Sequence, residues 1–265
     1  MTPAVEVSRL VKRFDGLTAV DDLSFAVAPG ELFGFLGPNG AGKTTTINIL
    51  CTLLSPTAGA ARVAGLDCLR EPVRVRERIG IIFQDPSLDE RLTAWENLEF
   101  HGMIYHMPRP LRRRRAQEVL EFVELWDRRD SIVRTFSGGM KRRLEVARGL
   151  MHEPEVLFLD EPTLGLDPQT RRKIWSMVEG LQKSRRTTFF LTTHSMEEAQ
   201  RCDRVAILDH GRLMALGRPA ELVSGRGARN LEEVFLGVTG HDLRDGAASE
   251  AEIGRGKVRK MRSWA

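Results

Sequence analysis

Cysteine is scarce in this chain, with only Cys51, Cys68 and Cys202 among 265 residues. The number is odd, the three lie far apart and none sits in a C-x-x-C pair. That argues against a disulfide framework or a zinc knuckle and for a reducing compartment. An excess of charge of one sign is also missing: 40 Lys and Arg against 36 Asp and Glu leave a formal +4, too small to single out nucleic acid or a membrane surface. Long apolar runs are lacking too. The longest uncharged stretch, 44–61, holds Asn48, Pro56, Gly59 and five threonines, so it does not read as a membrane span. The N-terminal MTPAVEVSRLVKRF has no apolar run behind its basic residues and does not read as a secretory signal. No repeat of solenoid type is visible.

What is present suits a soluble globular protein able to bury a core, since 42% of residues are hydrophobic. The apolar run LFGFL at 32–36, then a glycine-rich turn, then TTTINILCTLL, predicts a strand, a loop and a helix. The runs VLFLD at 156–160 and TFFLTT at 188–193 have the length and continuity of buried parallel strands. Residues 93–152 have helical spacing instead, which predicts a helical lobe inserted at about 85–154. RVAILDHGRLMALG at 204–217 alternates about His210 and Gly211 as a hairpin does. The tail from His241 is basic and has no core pattern, so it is expected to be mobile. The run Arg112–Arg115 is expected to be a solvated helix face: Glu118, Glu121 and Glu124 follow it, and aromatics for base stacking are lacking nearby. Nucleic acid is not an expected partner.

Gly37, Pro38, Asn39, Gly40, Ala41, Gly42, Lys43, Thr44 and Thr45 match G-x-x-x-x-G-K-[ST] between the expected strand and helix. Glycines there let backbone N–H groups face phosphates and the helix N-terminus adds positive potential. Lys43 reaches the β- and γ-phosphates, and the Thr44 hydroxyl suits Mg²⁺. Asp160 is expected to emerge at the carboxyl end of its strand to hold the metal through water, with Glu161 next to it as acceptor of a proton from an attacking water. ATP and Mg²⁺ are the expected cofactors.

Phe136-Ser137-Gly138-Gly139-Met140 lies between these two motifs and resembles the signature loop of ABC-type ATPases. The resemblance spans residues 5–225 and implies an α/β fold of the P-loop NTPase type: a parallel-sheet core, an N-terminal antiparallel sheet and the inserted helical lobe, with 226–265 as a C-terminal extension. It implies that Ser137, Gly138 and Gly139 of one subunit cover the γ-phosphate held by another, in a head-to-tail homodimer. A hydroxyl and two glycine N–H groups before a helix form a second anion cradle, which agrees. The resemblance also assigns Gln84 to Mg²⁺ and the attacking water, Gly165-Leu166-Asp167 to the opposite subunit, His194 to the γ-phosphate and Phe14 to adenine stacking.

Met140 departs from the glutamine common in the family, which removes a polar side chain but none of the phosphate donors. Together with EPTLGLDP and NLEEVFLGVTG, the signature is similar to the daunorubicin-resistance and nodulation branch of ABC exporters. That similarity implies ATP hydrolysis that powers export of drugs, lipids or glycans through a permease on a separate membrane protein, with this chain peripheral on the cytoplasmic face. A soluble ABC ATPase of DNA repair or translation is the rival reading. Such proteins usually carry tandem cassettes, coiled-coil arms or zinc insertions, features this sequence lacks.

Overall fold

The computed structural model describes residues 2–84, 87–185 and 187–240, so the basic tail from His241 lies outside the described residues. The chain opens with an antiparallel pair, β1 (Val5–Phe14) and β2 (Leu17–Val27). It continues through β3 (Leu32–Leu36), α1 (Lys43–Leu50), β4 (Ala58–Val63), β5 (Leu66–Asp67), α2 (Pro72–Arg78) and β6 (Ile79–Ile82). Then come three helices: α3 (Ala94–Ile104), α4 (Arg109–Phe122) and α5 (Gly138–Gly149). The remainder alternates: β7 (Val156–Asp160), α6 (Pro168–Arg185), β8 (Thr188–Thr193), α7 (Met196–Arg201), β9 (Arg204–Asp209), β10 (Arg212–Gly217), α8 (Pro219–Gly225) and α9 (Leu231–Thr239).

Two sheets result. A four-stranded antiparallel sheet has the order β2-β1-β4-β5, and a six-stranded sheet has the order β10-β9-β3-β8-β7-β6. In the larger sheet β6, β7, β8, β3 and β9 run parallel and β10 closes it antiparallel to β9. Every residue of β3, β7 and β8 is buried, as continuous apolar strands covered on both faces require. These strands keep the bounds expected from their apolar runs. Phe25, Phe33, Phe35, Phe158 and Phe190 pack between the two sheets, with ring centroids 4.8–6.0 Å apart.

The first helix stops at Leu50, short of the expected run to Leu54, and Thr52 takes a left-handed conformation just beyond it. Between adjacent strands β6 and β7 the chain is helical, and α3 begins with a capping box between Thr93 and Glu96. The arginine run differs from its expectation. Arg113 and Arg114 are exposed, but Arg115 is only 2% exposed and donates to the carbonyls of Leu150 and Met151. It fills a core position of α4, beside Ala116, Val119 and Leu120. Leu231, Val234 and Phe235 of α9 pack into the same hydrophobic cluster as β3, so the chain beyond 225 is part of the packed body as far as that helix.

Candidate functional site

The phosphate-loop residues 37–45 leave the carboxyl end of β3 and enter α1. Backbone geometry restricts two positions to glycine. Gly42 sits at φ 93°, and a Cβ there would lie 2.4 Å from the Ala19 carbonyl; at Gly37 it would meet the Leu208 carbonyl at 2.6 Å. The loop folds around Lys43, which is 5% exposed and whose Nζ donates to the carbonyls of Gly37 (2.8 Å) and Pro38 (2.9 Å).

The neighbouring strands supply the acids. Asp160 ends β7 and accepts from the hydroxyl of Thr192 on adjacent β8, while Thr44 Oγ1 lies 3.5 Å from the same carboxylate oxygen. A hydroxyl and a carboxylate so placed are the hard oxygen donors that Mg²⁺ prefers. Glu161 sits at φ 47°, an uncommon conformation for a residue with a side chain, and its N–H donates to Thr192 Oγ1 at 3.1 Å. This turn aims its carboxylate at His194 beyond β8, whose Nδ1 lies 3.2 Å from Glu161 Oε1. The hydrogen bond to His194 holds Glu161 below the usual carboxylate range, and the same bond raises His194 above the usual imidazole range.

A cleft of about 700 Å³ joins these groups: Phe14, Asn39, Gly40, Gly42, Lys43, Thr44, Thr45, Gln84, Glu161 and His194 all line it. Phe14 is half-exposed at its mouth, with Lys12 Nζ 4.9 Å from the ring centroid. Sequence reasoning missed Leu17, Thr18, Ala19, Leu164 and His210, which complete the lining. It also missed Thr192, although a threonine at the carboxyl end of a buried strand is a readable sign of a polar task.

The signature residues are elsewhere. Ser137 caps α5, its Oγ accepting from Met140 N at 3.2 Å, and neither it nor Gly138 or Gly139 lines the cleft. A Cβ on Gly138 would meet nothing within 4 Å, whereas one on Gly139 would touch Thr170, which donates to Asp167 at 2.6 Å. Met140 packs against the hydrophobic cluster of the helical segment.

A family model described as ABC transporter matches residues 20–164. This chain belongs to the ABC transporter family. It is the ATP-hydrolysing subunit of a transporter. Among curated relatives, the daunorubicin/doxorubicin resistance ATP-binding protein DrrA of Streptomyces peucetius is 45% identical over 95% of this chain and 81% of its own length. The Nod factor export ATP-binding protein I of Ralstonia nicotianae is 44% identical over 88% of this chain and 73% of its own. Among solved structures, an ATP-binding subunit of an ABC transporter superposes with a TM-score of 0.80 at 31% identity, covering 89% of this chain and 99% of that one. A dimeric post-hydrolysis ATP-binding cassette bound to ADP and Pi gives 0.74 at 28% identity, covering 81% and 98%. Among the described residues no helix is long and apolar enough to cross a bilayer.

Proposed function

We propose that this chain powers an exporter of drugs, lipids or glycans by hydrolysing Mg-ATP on the cytoplasmic face of the membrane, joined to a permease on a separate polypeptide. Cargo class and direction rest on the likeness to the drug-resistance and Nod-factor relatives. Phe14 stacks on adenine, the backbone N–H groups of 37–45 and Lys43 bind the phosphates, and Thr44, Gln84 and Asp160 hold Mg²⁺. When bound there, the metal would neutralise charge on the phosphates. Glu161 accepts the proton of the attacking water and His194 turns to the γ-phosphate.

The observation that carries this reading is the convergence of Lys43, Thr44, Gln84, Glu161 and His194 on one cleft while Ser137 and Gly138 stand outside it. A cradle of donors that lies outside the cleft of its own chain is of use to a second copy, so we infer a head-to-tail homodimer that sandwiches two nucleotides. The test is Glu161→Gln, which keeps shape and removes the base. Turnover should fall roughly 10²- to 10⁴-fold with ATP affinity retained. Hydrolysis at the wild-type rate would remove Glu161 from its role.

A further inference from the structure

We propose that the buried pair Arg142–Glu145 is a positioning device that ties the loops carrying Gln84 and Glu161 to the helix that begins behind Ser137. Both residues lie on α5, are 7% and 1% exposed, and pair through Arg142 Nη1 and a Glu145 carboxylate oxygen at 3.0 Å. Among the described residues, their remaining hydrogen bonds go to the two loops that carry Gln84 and Glu161. Arg142 Nη1 donates to the carbonyl of Phe83, the residue before Gln84, at 2.6 Å. Arg142 Nε donates to the Pro162 carbonyl at 2.8 Å, and Nη2 reaches the carbonyls of Asp160 and Glu161 at 3.4 Å. Glu145 Oε1 accepts from the N–H of Ser87, on the far side of Gln84, at 2.8 Å.

Gln84 is thus bracketed by the pair, and the backbone of Glu161 hangs on the same guanidinium. A planar fork with five donors suits this task, because it can satisfy several fixed carbonyls at once. Stability is a weak reason for such a pair, since well-packed apolar residues of similar volume usually serve a buried position as well or better. What the ions add is geometry. Arg142 lies little more than a helical turn from Ser137, so any rotation of α5 carries the guanidinium, and with it both loops. The arrangement makes the setting of base and glutamine depend on the orientation of the helix that presents the signature residues.

This inference rests on the roles proposed for Gln84 and Glu161, and its test separates the two. The double variant Arg142→Met/Glu145→Leu removes both charges together and leaves neither stranded. Loss of partners for the backbone groups that the pair satisfied should lower the melting temperature, so activity is read well below it. There we expect KM for ATP little changed and kcat lowered by at least about tenfold, the scale on which misplacement by a fraction of an ångström acts. Arg142→Lys is measured beside it: the charge stays paired with Glu145 but the fork is lost, so kcat should fall with KM again unchanged. Either variant, folded and turning over within about twofold of wild type, overturns the proposal. Glu161→Gln is assayed in parallel. If it stays active, the reading of the base fails; if it is inactive while the Arg142 variants are fully active, only the positioning role fails.

Discussion

The hydrogen bond between His194 and Glu161 joins two titrations and sets the pH range over which the resting site is intact. His194 has its pKa raised, so its share of the pairing energy is complete below the ordinary imidazole value and is lost as pH rises through the raised folded value. Glu161 has its pKa lowered, so its share is present above the ordinary carboxylate value and is lost as pH falls through the lowered one. At neutral pH the carboxylate is therefore ionised, but the bond that keeps it so also makes it a weaker base. Turning His194 away removes that bond and raises the basicity of Glu161, which suits a base needed only when nucleotide is present. NMR titration of the imidazole in wild type and Glu161→Gln checks the coupling: His194 should titrate at lower pH in the variant. An unchanged titration would mean that the bond does not form in solution.

The arginine run of α4 shows, at the scale of an element, how far side-chain type misleads. Arg115 occupies a core position, with Nη2 on the Leu150 carbonyl at 3.0 Å and Nε on the Met151 carbonyl at 3.3 Å, while Arg114 is 69% exposed beside Glu118. Arg115→Leu strands two buried carbonyls and should cost about 2–3 kcal/mol, whereas Arg114→Leu should stay within about 0.5 kcal/mol. Urea unfolding of both variants measures the contrast, and equal losses would contradict the burial of Arg115. The strands were legible because continuous apolar runs leave few alternatives, and the phosphate loop because glycine spacing and its flanking elements agree. The arginine position was not, since four like residues in a row hide the helical phase that decides which one points inward. The Arg142–Glu145 pair was hidden for a different reason: its partners are backbone atoms of residues up to 59 positions away, which leave no mark in residue type. The short α9 carried its signal in the spacing of Leu231, Val234 and Phe235, too few residues to set it apart from a tail.

Across the whole molecule, the cleft and the signature residues lie apart, and the proposed head-to-tail dimer makes them two halves of one site. The cleft holds Lys43, Glu161 and His194, and Ser137 and Gly138 lie at the start of α5 outside it. Two-fold symmetry resolves this without new elements, because a surface patch that serves a partner is served in return by that partner's copy of the same patch. A consequence separates the sandwich from any dimer in which each subunit works alone. Lys43→Ala disables the cleft of its own chain but leaves its signature intact, and Ser137→Ala does the reverse. Each variant alone should be inactive, since every site in its homodimer is damaged. Mixed in equal amounts with Mg-ATP, half of the dimers are heterodimers, and in each the damaged halves fall together on one site while the other site is wholly wild type. Activity should reappear, up to about a quarter of the wild-type level if sites act independently. If hydrolysis requires both sites at once it will not reappear, but the heterodimer will still trap a single ATP, read by a nucleotide-to-protein ratio near one per dimer during size exclusion. A mixture that neither hydrolyses nor retains nucleotide would exclude the head-to-tail arrangement.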